Sequence, residues 1–199
     1  IVEVNAGPGL LMHLKPASGS PRPVGKAIAA HLFAEDSESR IPVVGLIGQE
    51  NTTGTSHLIA WLLHLQGLQT GLSSAKGLFL GQRCLEPQSD MQWGSAQRLL
   101  INRSVQAAVF ETTARHLLAE GLPYDRCQVG VITSMPKAAG LEDLYIQNDE
   151  QMPNVVRTQM DVVLPHGMAV LNAEDEEVAK LAQYCDGEVT YFASSEDHT

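Results

Sequence analysis

The chain has 199 residues, 13 basic and 23 acidic, with a formal net charge of −10 and 44% hydrophobic against 18% charged residues. That length and apolar share suit a folded domain with its own core and exclude a disordered tail. The acid excess, with no Lys or Arg cluster, excludes an unaided grip on nucleic acid or an anionic bilayer, and the apolar runs at 41–47 and 58–68 are too short or too broken by His and Gln to span one.

Residues 6–24 carry Pro8, Pro16, Pro21 and Pro23 among Gly7, Gly9 and Gly19, so a connecting arm rather than a regular element is expected there. A helix is predicted over 24–33, apolar at Val24, Ile28, Leu32 and Phe33, followed by a charged linker over 34–40. The chain therefore divides into 1–40 and a domain proper at 41–199. It opens at Ile1 without a basic leader, so no secretory signal is expected. Cys84, Cys127 and Cys185 are odd in number and far apart, without zinc spacing, which fits reduced thiols and a cytoplasmic location.

From residue 41 short β-rich runs alternate with helical patterns, the mark of crossover units: an α/β fold with a mostly parallel sheet flanked by helices. Strands are predicted at 42–47, 70–73, 107–111, 129–133, 168–171 and 189–192. Helices are predicted at 54–66, 94–102, 113–120, 154–164 and 175–184. A hairpin over 77–85, turning at Gly81, interrupts the alternation.

The first strand runs through a glycine-containing loop into a helix, where a phosphate-binding loop sits in nucleotide-binding folds. Read from its end against G-x-x-x-x-G-K-[ST], the segment has Gly48 as the upstream glycine. Asn51 stands at the second glycine, Thr52 at the lysine and Thr53 at the hydroxyl. A Thr hydroxyl cannot replace a cation facing polyphosphate oxygens, and Glu50 adds repulsion. The competing reading is a strand-to-helix turn, with Asn51 and Gly54 serving backbone geometry and Thr52 or Thr53 capping the helix.

At this point the chain resembles the cyanophycin synthetase family. The opening Glu3-Val4-Asn5 looks like the end of an ATP-grasp domain, in which such a Glu-x-Asn pair binds magnesium. The remainder resembles the Mur-ligase-like domain that follows, through Arg40-Ile41-Pro42, Val109-Phe110-Glu111-Thr112, the segment from Gly121 to Cys127, Val129-Gly130-Val131-Ile132-Thr133 and the segment from Gly167 to Asp175. The resemblance implies a Mur-ligase central-domain fold, related to P-loop NTPases, with ATP and magnesium as the family's cofactors. It also implies an upstream ATP-grasp domain and a homo-oligomer as partners. Within it Glu111 matches the magnesium-binding carboxylate, Thr53 a magnesium-binding hydroxyl, and Asn172 and Asp175 the Asn-Ala-x-Asp stretch beside the nucleotide.

The departures are specific. The family loop is Gly-Thr-Asn-Gly-Lys-Thr, so Thr52 replaces the lysine and the phosphate loop is degenerate. The Arg-Gly-Gly after the Glu-Thr pair is replaced around Thr113–His116, and a metal-holding His is absent from the run Ser134 to Ala139. No Lys stands between Met152 and Asp161 for carbamylation. The chain also ends soon after the central sheet, without the further lobe of full Mur ligases. These losses imply a catalytically silent, structural or oligomer-forming domain with no cofactor of its own, closest to the short form of the family that joins β-aspartyl-arginine dipeptides through its ATP-grasp domain. An active ligase with Thr53 and Glu111 on magnesium, and a nucleotide- or peptide-binding module without turnover, stay open as alternatives. Glu111 is then expected to be a vestigial acid in a polar cleft, and Asn172 and Asp175 to be strand-end and helix-capping residues. The seven histidines show no chelating spacing and are expected at the surface.

Overall fold

A computed structural model describes residues 7, 9–32, 40–87 and 93–194. They divide into two compact units, Ile1–Arg40 and Ile41–Thr199. In the first, one helical turn, α1 (Leu11–Leu14), is set by Leu10 O accepting from the N–H groups of His13 and Leu14. The sequence reading placed no element there, yet residues 9–15 are a stretch free of proline in which a single turn can close. Helix α2 (Val24–Leu32) follows as predicted. Phe33, most of the 34–40 linker, Glu3 and Asn5 lie outside the described residues.

In the second unit the apolar run Val43–Ile47 forms β1, buried along its whole length. Helix α3 (Thr52–Leu65) leads to β2 (Thr70–Ser74), and β3 (Gly77–Leu80) and β4 (Arg83–Pro87) fold back antiparallel from it. Gly81 takes φ +58° at the predicted hairpin turn, a left-handed conformation that favours glycine. Then come α4 (Trp93–Leu100), β5 (Ala107–Thr112), α5 (Ala114–Glu120) and β6 (Cys127–Ile132). The chain ends with α6 (Met152–Val156), α7 (Thr158–Asp161), β7 (Val163–Asn172), α8 (Glu176–Ala179) and β8 (Glu188–Phe192).

These strands make one sheet in the order β4-β3-β2-β5-β1-β6-β7-β8, parallel from β2 through β8. Buried strands on both faces need crossover helices, and their side chains alternate between two cores. Val43, Ile47, Ala108, Phe110 and Ile132 face a large cluster with Leu99 of α4, Leu117 of α5, Met160 of α7 and Val178 of α8. Val44, Leu46, Leu72, Val109 and Val131 face the other way, against Ala60, Ile59 and Leu63 of α3. Among the described residues α3 is the helix that packs in this second cluster.

Three predicted elements differ from the structure. The helix expected at 154–164 breaks near Arg157, and the strand expected at 168–171 begins at Val163, paired with Cys127. Helical spacing does bury Met152, Val156 and Met160. Pairing with β6 then captures the chain earlier, with a register shift between Cys127 and Val129. The predicted 175–184 helix is a short α8 that tightens into a 3-10 turn over Lys180–Tyr184.

Under the sheet lies a buried polar contact. Tyr124 Oη donates to Gln159 Oε1 at 2.8 Å, and Gln159 Nε2 lies 3.5 Å from Cys127 Sγ. Gly45 makes room for it, because a Cβ there would stand 1.9 Å from Tyr124 Oη.

Candidate functional site

The loop from β1 to α3 is built around Gly48 and Asn51. A Cβ on Gly48 would lie 2.0 Å from Thr133 Oγ1, so glycine is required for the close approach of β6's end. Asn51 takes φ 60°, a left-handed conformation that asparagine tolerates where a β-branched residue would not, and it is the N-cap of α3 without a side-chain capping bond. Asn51 thus serves backbone geometry as expected. Gly54 does not: it lies inside α3 at ordinary φ with open space around it. Thr52 and Thr53 are not the cap either, since both lie in the first turn of the helix.

Their hydroxyls go elsewhere. Thr52 Oγ1 donates to Glu111 Oε1 at 2.9 Å and Thr53 Oγ1 to the same oxygen at 2.6 Å, while Ala75 N donates to Glu111 Oε2 at 3.0 Å. Glu111 is 5% exposed. It is therefore a buried acceptor that joins α3, β5 and the β2–β3 turn, rather than the vestigial acid in a polar cleft that was expected. A magnesium ion asks for carboxylate oxygens open to it together with waters and phosphate; this carboxylate already spends its Oε1 on two hydroxyls and its Oε2 on an amide.

Two of the loop's backbone donors are occupied as well. Gln49 N and Glu50 N donate to Ser134 Oγ at 3.0 and 3.2 Å. Thr133 Oγ1 donates to Glu50 O at 2.8 Å, and Lys137 N to Gln49 Oε1 at 2.9 Å. In a phosphate loop such N–H groups face phosphate oxygens; here the hydroxyl of Ser134 stands before two of them. The cation nearest in sequence to that hydroxyl, Lys137, pairs with Asp149 at 3.3 Å.

Asn172, at the end of β7, donates through Nδ2 to Thr133 O at 3.0 Å and accepts from Glu174 N. Asp175 caps α8 through Val178 N and accepts from Met135 N at 2.8 Å. Both are strand-end and capping residues, and both tie β7's exit to the 133–135 segment. Gly48, Asn51 and Asn172 therefore meet at the C-terminal ends of β1, β6 and β7, whereas Thr52, Thr53 and Glu111 form a separate contact toward β2. Asn51 and Asn172 also border a groove of about 590 Å³ whose floor is Val44, Val129, Val131 and Val170.

Two functional partners, Ser134 and His57, were not read from the sequence. Ser134 was seen only as a position where a histidine is missing, and nothing in its local pattern marks a hydroxyl that reaches 84 and 85 residues back. His57 is half-buried, with Nε2 3.0 Å from Ser74 Oγ and its ring edge-on to Phe79, so it departs from the expected surface placement. Burial, then the Lys76 charge, lowers its pKa, with Glu111 opposing. Among the described residues no three His, Cys, Asp or Glu side chains are placed to hold a metal ion, and no helix is long and apolar enough to cross a membrane.

The sheet order and the strand-to-helix loop define a Mur-ligase-like α/β domain. Among solved structures, a UDP-N-acetylmuramoyl-L-alanyl-D-glutamate--2,6-diaminopimelate ligase matches with TM-score 0.64 at 14% identity, over 87% of this chain and 36% of that one. A bifunctional folylpolyglutamate synthase/dihydrofolate synthase with Mn, AMPPNP and L-glutamate bound matches with TM-score 0.55 at 15% identity, over 75% of this chain and 43% of that one. At these identities the likeness is one of fold. No family model matches the chain. In sequence the chain is similar to the cyanophycin synthetases. The Synechocystis cyanophycin synthetase is 36% identical over all 199 residues. A UDP-N-acetylmuramyl-tripeptide synthetase of Deinococcus radiodurans is 28% identical over 178 residues, which is 85% of this chain and 35% of that protein. The chain spans 23% of the length of the cyanophycin synthetase from Synechocystis.

Proposed function

We propose that the chain is the Mur-ligase-like domain of a larger ATP-dependent amide ligase of the cyanophycin synthetase kind, and that this domain does not turn over nucleotide but serves structure and assembly. The observation that carries this reading is the filled loop. Ser134 Oγ accepts from Gln49 and Glu50 N–H, and Thr52, at the lysine position, is 8% exposed with its hydroxyl on Glu111. A nucleotide would have to displace a neutral hydroxyl without any loop cation to repay the exchange, and against the carboxylate of Glu50.

In this reading residues 1–40 are the tail of an ATP-grasp domain and its linker, with Glu3 and Asn5 completing a magnesium site there. Residues 41–199 are the silent domain. The parent is the short form that polymerises β-aspartyl-arginine, using ATP and magnesium in the ATP-grasp domain alone, in the cytoplasm.

Calorimetric titration of the chain with Mg-ATP tests it: no isotherm is expected. A micromolar isotherm that depends on Thr53 or Glu111 overturns the silent reading and restores the active ligase. The groove beside Asn51 and Asn172 favours one second reading, a binding module without turnover. Titration with β-aspartyl-arginine separates the two, because a peptide isotherm without an ATP isotherm supports the module.

A further inference from the structure

The hairpin of β3 and β4 that interrupts the parallel sheet encloses, with α3, a cavity of about 170 Å³. His57, Trp61 and His64 of α3 line it at i, i+4 and i+7, so one side of the helix faces the hairpin. Phe79 of β3 and Gln82 of the β3–β4 turn line it as well, over the buried Ala60 and Leu72. The slot is held in shape by the protein itself. His57 Nε2 lies 3.0 Å from Ser74 Oγ, and its ring stands edge-on to Phe79 with centroids 5.0 Å apart. At the other end Gly81 takes φ +58°, and a Cβ there would meet nothing nearer than Gln69 Oε1 at 3.7 Å, with His64 Cε1 at 3.9 Å. A turn without a side chain thus leaves the slot open beside His64. Seven positions of helix set the two imidazoles about 10 Å apart along α3, too far to share one metal ion.

We propose that this slot binds a small, uncharged, planar heteroaromatic molecule, its ring against Trp61 and Phe79 and its polar edge on His64 and Gln82. Charge, shape and polarity set that class. No Asp, Glu, Lys or Arg lines the slot, so an ion of either sign would give up water without gaining a counter-charge. Two aromatic side chains and two imidazoles favour a flat ring, through stacked or edge-on contact, over a branched aliphatic one. Trp61 Nε1, the His64 ring nitrogens and the Gln82 amide have no protein hydrogen-bond partner among the described residues. A ligand that carries both a donor and an acceptor satisfies these groups, whereas a hydrocarbon would only strip them of water. Volume sets the size: the cavity is smaller than the roughly 300–1,000 Å³ of sites for larger ligands, which restricts it to a single or fused ring. The slot shares no lining residue with the groove at Asn51 and Asn172, and it does not depend on whether the domain turns over nucleotide.

Titration of the nitrogen-15-labelled full chain with indazole, a neutral fused ring with an N–H donor and a nitrogen acceptor, tests this by two-dimensional NMR. Saturable shifts are expected at Trp61 Nε1–H and at the amides of Phe79, Gly81 and Gln82. Indene, which keeps the shape without the polar edge, and benzoate, which adds a charge, should each bind at least about 10-fold more weakly. His64→Leu, at a partly exposed position, should weaken indazole while leaving distant amide signals in place. Trp61 is 49% exposed, so Trp61→Ala should keep the fold and lose saturation. An indazole titration without saturation overturns the proposal, as do shifts centred on Asn51 and Asn172 instead. Benzoate or indene binding as well as indazole overturns it too, and so does binding that Trp61→Ala or His64→Leu leaves unchanged.

Discussion

Thr53 Oγ1 donates to Glu111 Oε1 at 2.6 Å, across 58 residues of sequence. With Thr52 and Ala75 N it makes the carboxylate a buried junction of three segments. Leaving a buried donor without its acceptor costs about 1–3 kcal/mol. Glu111→Ala strands three donors, so a loss of at least ~2 kcal/mol is expected in urea unfolding, with Glu111→Gln much milder because it keeps an acceptor. A Glu111→Ala chain as stable as wild type would show that water replaces the carboxylate freely.

Gly45→Ala should be among the most damaging small substitutions. Its Cβ would enter the space of Tyr124 Oη and Gln159 Nε2 in a fully packed core, and overpacking of this kind costs roughly 1–3 kcal/mol. Adding Tyr124→Phe removes the nearest atom but leaves Gln159 without its donor, so thermal unfolding should show only partial recovery. Full recovery would mean that the hydroxyl alone sets the fit.

Ser134→Ala should free Gln49 and Glu50 N–H without unfolding the domain, since both bonds lie at the exposed edge. Faster amide exchange at those two residues, with a stability change below about 1.5 kcal/mol, is the expected signature. ATP binding should still be absent. Combining Ser134→Ala with Glu50→Asn, Asn51→Gly and Thr52→Lys should improve nucleotide binding without ligation, and product formation by that variant would locate the catalytic parts elsewhere.

Burial pushes the Cys127 thiol up to about 12 from 9.0. The folded state holds its proton more tightly, so this stability is fully present below pH 9 and is lost as pH rises toward 12. His57 works in the opposite direction: its lowered pKa means that stability is present above pH 6.5 and declines as pH falls below it. Alkylation at neutral pH should label Cys84 first and Cys127 only on unfolding, given their exposed and buried positions. Early labelling of Cys127 would contradict its packing.

The α/β class, the parallel sheet and the hairpin at Gly81 were legible because they rest on local patterns: β-rich runs at fixed spacing, helical periodicity and a glycine at a turn. The helix over 154–164 was not, since the same apolar spacing suits the end of α7 and the start of β7. Pairing of Val163 with Cys127 decided between them.

At the loop the sequence by itself determined what is missing: a cation at Thr52 and a second glycine at Asn51, whose left-handed backbone asparagine still supports. Only the tertiary structure decided what took the vacated roles. Thr52 and Thr53 turned from expected caps to donors for Glu111, and Ser134 came to stand before the Gln49 and Glu50 amides. The physical reason is distance along the chain. Hydrogen bonds between residues 58 to 85 positions apart leave no periodicity or spacing to read, because they exist only after β1, β5 and β6 have paired side by side.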